Sequence, residues 1–188
     1  MNAIPEASFP LLDTLRQRRT VHDFLPATPP QALVHSALEA ACWAPNHRMT
    51  EPWRFYLLGP QAAEAVSLLN AEVVRRKSGE DAAAAKLRRW RAMPGWLVVT
   101  CQRSDDPERE REDYAACSCA IQNFMLALWS AGVGSKWSTG KVTRDPGFLP
   151  LIGATPAEFC VGIVWYGYAQ SVPAQSRRAL ASVLQQRD

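Results

Sequence analysis

The chain has 188 residues, 47% of them hydrophobic and 21% charged, which places it among soluble globular proteins and suits one domain, residues 1–188, with room for a real core. A formal charge of +3 is small and does not call for nucleic acid, whose readers carry a concentrated basic face. Five cysteines, Cys42, Cys101, Cys117, Cys119 and Cys160, form an odd set without framework spacing, which fits a reduced, cytoplasmic setting better than a disulfide scaffold.

Residues 1–10 lack the basic start and apolar run of a signal peptide. Residues 11–19 read as a short helix ending in Arg16, Arg18 and Arg19. Basic residues there suit the negative end of the helix dipole, and Arg also presents a planar fork that pairs bidentately with phosphate. Thr20 adds a hydroxyl at the turn. Thr28-Pro29-Pro30-Gln31 predicts a helix start, with Thr28 as the cap, Pro29 in the first turn and Gln31 closing a capping box. That helix runs to about Trp43.

The loop from Ala44 to Phe55 follows, between a helical and a strand pattern. Pro45 and Pro52 exclude a helix through it and push Ala44 and Glu51 toward extended geometry. Such a polar loop between buried elements is either a plain connection or a ligand-bearing one. Residues 53–58 predict a strand, and 62–74 an amphipathic helix with Val66, Leu69 and Val73 on one side. Residues 75–91 are the most polar part of the chain. Residues 82–92 have helical composition and read as a solvated element, a plain exposed helix or a cover over a substrate opening.

Residues 95–102 (GWLVVTCQ) predict a central strand, 103–111 a charged loop, and 111–131 the longest helix, stopped by Gly132 and Gly134. That helix is apolar all round, but Ser118, Gln122, Asn123 and Ser130 interrupt it, so it reads as a buried core helix and not as a membrane span. Its polar stripe must hydrogen-bond to backbone, to a partner helix or to a ligand. Residues 135–140 leave it as strand or loop. Asp145-Pro146 starts a short helix ending at Gly153. Residues 159–169 form the clearest strand, with Phe159, Val161, Ile163 and Trp165 on one face and Cys160, Gly162, Val164 and Tyr166 on the other. The tail, 175–184, carries Arg177, Arg178, Leu180 and Leu184 and is expected to dock, for instance on a second subunit.

Gly140-Lys141 lacks the rest of a phosphate loop, Gly132-Val133-Gly134 lacks the third glycine of a dinucleotide fingerprint, and no Gly-x-Ser-x-Gly elbow occurs. His22, His35 and His47 have no metal-ligand spacing, and Cys117-x-Cys119 on a helix points its thiols apart. No metal site is expected.

The Arg18-Arg19-Thr20 turn, followed about 25 residues later by Ala44-Pro45-x-His47-x-x-x-x-Pro52-Trp53-Arg54-Phe55, resembles the nitroreductase family of FMN-dependent NAD(P)H oxidoreductases. The short, single-domain bacterial members are most similar, and the resemblance runs over residues 12–184. It implies an α+β fold with a central, mostly antiparallel sheet flanked by helices. It also implies a homodimer holding one FMN at each end of its interface. On that resemblance Arg18, Arg19 and Thr20 hold the FMN phosphate and ring edge, and His47 reaches the flavin from the partner chain. Trp137, Ser138 and Thr139 form the partner-side wall, Arg177 touches the phosphate from the C-terminal arm, and Gln122 and Asn123 lie near the nicotinamide path or the interface. His22 stands where many relatives carry Arg or Lys, which makes one positive contact pH-dependent. Met49, Glu51 and Trp43 also depart from frequent residues of the family.

The chemistry implied is the cofactor's, with no side-chain nucleophile: hydride passes from NADH or NADPH to FMN and on to a nitroaromatic, quinone or other small acceptor. A flavin-binding protein without turnover, and a specialised dehalogenase or flavin-destroying oxidase on the same fold, are the alternatives.

Overall fold

The computed structural model describes residues 10–187; the absence of a leader, read from residues 1–10, falls almost wholly outside them. In chain order the main elements are α1 (Pro10–Gln17), α2 (Gln31–Cys42), β1 (Trp53–Leu57), α3 (Pro60–Ser78), α4 (Glu80–Arg91), β2 (Gly95–Gln102), α5 (Pro107–Ser130), β3 (Gly134–Ser138), α6 (Phe148–Leu151) and β4 (Glu158–Gly167). The four strands make one sheet in the order β1-β2-β4-β3. Every pairing is antiparallel. An α+β fold with helices on both sheet faces is therefore what forms. Among the described residues no helix is long and apolar enough to cross a membrane.

Each face of the sheet has its own core. On one, α2 and α5 pack over Leu97, Val99, Val161, Val164 and Tyr166. On the other, α3, α4 and α6 cover Trp96, Val98, Ile163 and Trp165. Trp90, Trp96 and Trp165 meet there edge to face with ring centroids 5.0–5.5 Å apart, the geometry that ring quadrupoles favour.

Strand β2 spans the predicted residues end to end. Strand β4 departs from strict alternation. Val99 pairs with Gly162 but Thr100 with Cys160, so Val161 is an extra residue in β4. A one-residue bulge reverses the parity of side chains beyond it. Phe159 and Val161 therefore share a face with Val164 and Tyr166, while Cys160 shares one with Ile163 and Trp165.

Four helix expectations also change. Helix α2 starts at Gln31 with Pro30 as its cap and no side-chain cap bond. Pro30 forces Pro29 out of helical geometry, which leaves Thr28 too far away to cap. Helix α5 begins at Pro107, because Asp106 accepts bonds from the amides of Glu108 (2.9 Å) and Arg109 (3.4 Å); the predicted loop is its first turn. Helix α4 is more than a surface element, since it buries Ala83 and Trp90. After Asp145 the chain makes a turn, with Asp145 Oδ1 accepting from the Gly147 amide (2.9 Å), and the helix waits until Phe148.

The 44–55 loop contains one short 3-10 turn, His47–Met49. Arg48, Met49 and Glu51 have φ values of 58°, 51° and 43°, so Glu51 is not extended as the proline rule suggests. Its amide is held by Asn46 Oδ1 at 3.0 Å. Thr50 Oγ1 donates to buried Asp113 at 2.6 Å, anchoring the loop on α5. Three left-handed non-glycine residues together are a store of strain, a feature that clusters at functional segments.

Candidate functional site

After α1 ends, the chain passes along the outer edge of β3. Thr20 bridges Ser135, and the Val21 amide donates to the Ser135 carbonyl at 3.0 Å. Val21 is fully buried against Gly134, where an added Cβ would lie 2.5 Å from Val21 Cγ2. With Val21 turned inward, its neighbours turn outward. Arg18 and Thr20 open into a cleft of about 460 Å³ with Tyr114, Gln122 and Met125 of α5 and Trp137 and Thr139. A second hollow of about 450 Å³ shares Arg18 and Gln122 and adds Leu15, Arg16, Arg19, Gln175 and Arg177. The two hollows adjoin at Arg18 and Gln122, and together they are termed the groove between α1, α5, β3 and the tail.

The groove is electrostatically one-sided. Among the described residues no carboxylate lines it. Arg18 is held below the ordinary arginine range by burial first, then by Arg177 and Arg19. Arg19 donates to the carbonyls of Arg16 (2.5 Å), Arg18 (3.0 Å) and Gln175 (3.4 Å), which ties the tail to the end of α1. Arg18 makes no side-chain hydrogen bond among the described residues. Clustered guanidinium groups without an acid partner are suited to a phosphate, which takes bidentate charge-assisted bonds.

Trp137 forms the wall at the other end. Its indole Nε1 donates to the Val161 carbonyl at 3.4 Å. The ring lies so close over Gly162 that a Cβ there would sit 2.1 Å from Nε1. The bulge at Val161 and the bare Gly162 therefore set this wall together.

Seven predicted site residues meet in the groove: Arg18, Arg19, Thr20, Gln122, Trp137, Thr139 and Arg177. Five do not. Ser138 alternates with Trp137 on β3, so it faces the opposite side of the sheet. There it lines a different cavity of about 440 Å³ together with His22. Asn123 turns the other way on α5 and donates to the Ala40 carbonyl at 3.3 Å, tying α5 to α2. Trp43 stands 88% exposed at the end of α2. His47 Nδ1 lies 2.8 Å from Glu112 Oε2 at the surface. Within one chain neither reaches the groove.

The polar stripe of α5 divides in the same way. Ser118 donates to the Tyr114 carbonyl at 2.9 Å, and Gln122 is left facing the groove. Tyr114 and Met125 were missed, although 114, 118, 122 and 125 follow one helical face. Asn70, a buried amide among the apolar residues of α3, was also missed; its interruption of the Val66, Leu69, Val73 pattern was the available signal.

The chain is similar to known proteins over most of its length. The profile of the nitroreductase family matches residues 15–168. YfhC of Bacillus subtilis (strain 168), provisionally named an NAD(P)H nitroreductase, is 32% identical over 172 residues, 89% of each chain. YdjA of Escherichia coli (strain K12), named in the same way, is 24% identical over 85% of this chain and 88% of its own. A crystal structure of a nitroreductase-like family protein from Bacillus cereus superposes with a TM-score of 0.84 at 29% identity, covering 97% of this chain and 98% of that one. A protein from Desulfovibrio desulfuricans, solved in complex with FMN, shares the fold with a TM-score of 0.77 at 22% identity, covering 97% of this chain and 99% of that one.

Proposed function

Since this chain belongs to the nitroreductase family, we propose that it is an FMN-dependent oxidoreductase passing electrons from NADH or NADPH to a small acceptor such as a nitroaromatic or quinone. The observation that carries the reading is the groove, where an arginine cluster without an acid partner stands at one end and an indole wall at the other. Its donors fit the cofactor. Arg18 and Arg177 would hold the phosphate, with Arg19 steadying the tail, and Thr20 would offer a hydroxyl beside them. Trp137, Thr139 and Gln122 would border the ring.

Bound FMN would supply the chemistry, hydride acceptance and onward electron transfer. The protein's part is to bind, orient and bias it. Donor and acceptor use the same opening in turn. No side chain in the groove is asked to act as a nucleophile.

A homodimer belongs to the same proposal. Trp43, Met49, Leu11 and Leu15 and the tail residues Leu180 and Val183 are exposed apolar groups, and a second copy would cover them. The strained 47–51 loop would then bring His47 toward the partner's groove, in exchange for its contact with Glu112.

The test is the visible spectrum of the purified protein and the mass of what heat releases, followed by stopped-flow mixing with NADH or NADPH and light scattering for the oligomer. A yellow dimer whose colour bleaches on mixing and returns with an acceptor is expected. A colourless monomer that takes up no FMN when supplied refutes the proposal, and bound flavin without turnover makes the protein a flavin carrier instead.

A further inference from the structure

The 46–51 loop lies against the first turns of α5, and two side chains fasten it there. Thr50 Oγ1 donates to Asp113 Oδ1 at 2.6 Å, and that carboxylate is buried. His47 Nδ1 lies 2.8 Å from Glu112 Oε2, with the two side chains 59% and 42% exposed. The fastenings differ in strength. A hydrogen bond to a buried carboxylate is among the stronger ones, whereas an exposed ion pair contributes little. The loop is therefore fixed at Thr50 and held only lightly at His47.

The backbone between them is strained. All the non-glycine residues with positive φ among the described residues, Arg48, Met49 and Glu51, lie in this loop. Arg48 and Met49 directly follow His47. Strain of this kind persists only while the surroundings over-determine it, so loss of one fastening lets the backbone at 47–49 relax. A hollow of about 160 Å³ beneath the loop, lined by His47, Thr50, Glu112 and Asp113 among others, leaves the imidazole room to swing.

Charge sets two destinations for that ring. Four carboxylates line the hollow, Asp106, Glu108, Glu112 and Asp113, whereas none lines the arginine groove among the described residues. Asp113 is already engaged by Thr50 and, at 3.7 Å, by Arg109. Glu112 is the one hydrogen-bond partner of the His47 ring among the described residues. An anionic flavin approaching His47 meets the Glu112 carboxylate at the same ring, and like charges disfavour a shared contact.

We infer that Glu112 is a positioning residue for the cofactor site: it parks His47 against its own α5, and the flavin of a second copy binds in competition with that contact. This rests on the reading that a second copy's groove receives both the flavin and His47.

The experiment is FMN titration by flavin fluorescence on the dimer, for the parent, Glu112→Ala, His47→Ala, the double variant and Glu108→Ala. Glu112→Ala is expected to tighten FMN binding about two- to fivefold, the range an exposed ion pair spans. His47→Ala should weaken it about two- to tenfold. In the His47→Ala background Glu112→Ala should change nothing, because its effect passes through the histidine. Glu108→Ala removes a charge from the same hollow without touching His47 and should leave the affinity as it is. Glu112→Gln keeps the side chain's size, shifts the affinity the same way by less, and decides the matter if alanine unsettles α5. FMN binding that is unchanged or weaker without Glu112 overturns the inference. So does a gain that persists without His47, or one that Glu108→Ala reproduces. A parent that stays monomeric or takes up no FMN refutes the functional reading and the inference with it, whereas a dimer that loads FMN but ignores Glu112 refutes the inference alone.

Discussion

Replacing Gly162 by alanine tests how the site wall is built. The new Cβ would lie 2.1 Å from Trp137 Nε1, 2.6 Å from its Cδ1 and 3.0 Å from the Ser138 carbonyl oxygen. The indole must move by about an ångström or more to reach ordinary contact near 3.5–4.0 Å, and the backbone oxygen leaves little room to move the strand instead. Overpacking of this kind costs about 1–3 kcal/mol, and the long Trp137–Val161 bond adds at most about 1 kcal/mol when lost. A loss of about 2 kcal/mol lowers the melting temperature by about 4–8 °C in a domain of this size. Thermal melts by circular dichroism measure it, with FMN titration alongside, because the displaced wall also loosens the cofactor. Adding Trp137→Leu to Gly162→Ala removes the clash, so alanine should cost much less in that background. A Gly162→Ala protein that melts within about 1 °C of the parent and binds FMN equally well refutes the reasoning.

Arg18→Ala removes a charge-assisted contact worth about 1.5–3 kcal/mol, so FMN affinity should fall about 10–100-fold in a flavin-fluorescence titration, while riboflavin, which lacks the phosphate, binds the variant and the parent alike. Glu158 is buried, and among the described residues no cation pairs with it. Burial acts to raise its pKa, but hydrogen bonds from Thr100, Tyr56 and Thr155 outweigh it and leave the carboxyl below its ordinary 4.5. A depressed folded-state pKa contributes stability above the unfolded value that is lost as pH falls through the folded one. Glu158→Gln should therefore cost about 2 kcal/mol at neutral pH, and urea melts should show that difference shrinking as the pH drops below 4.5. In the native protein, a thiol reagent at neutral pH should modify Cys42 and Cys119, which are exposed, and spare the other three until denaturant is added. The Cys117 thiol is pushed up by its hydrogen bond with Cys101 and by burial, and the Cys160 thiol is pushed up to about 12 by burial.

Much of the site could be read along the chain. Arg18, Arg19 and Thr20, then Gln122, Trp137, Thr139 and Arg177, were named on the family resemblance, and the folded chain brings these seven side chains together. Ser138 lies apart from the groove because a strand alternates its side chains, so it does not share a face with Trp137. Trp43 and His47 lie on the surface of the chain, away from the groove, Trp43 at the end of α2 and His47 beside Glu112. The 82–92 segment was read as solvated because charge dominates it locally; Trp90, one residue among many polar ones, packs against Trp96 and Trp165 from strands that lie later in the sequence.

Local pattern was sufficient for the order of the elements and the ends of β2, because hydrophobic period and turn chemistry are properties of neighbouring residues, while the family was named on the resemblance carried by the Arg18–Thr20 turn and the 44–55 loop. Three things depended on the folded chain: the extra residue in β4, the Trp137–Gly162 contact, and the cluster of arginines. A bulge exists only against the register of a partner strand, a close approach only between segments already packed. The arginine cluster likewise arises from distant positions, since Arg18 and Arg177 become neighbours only when helices and sheet edge have closed around them.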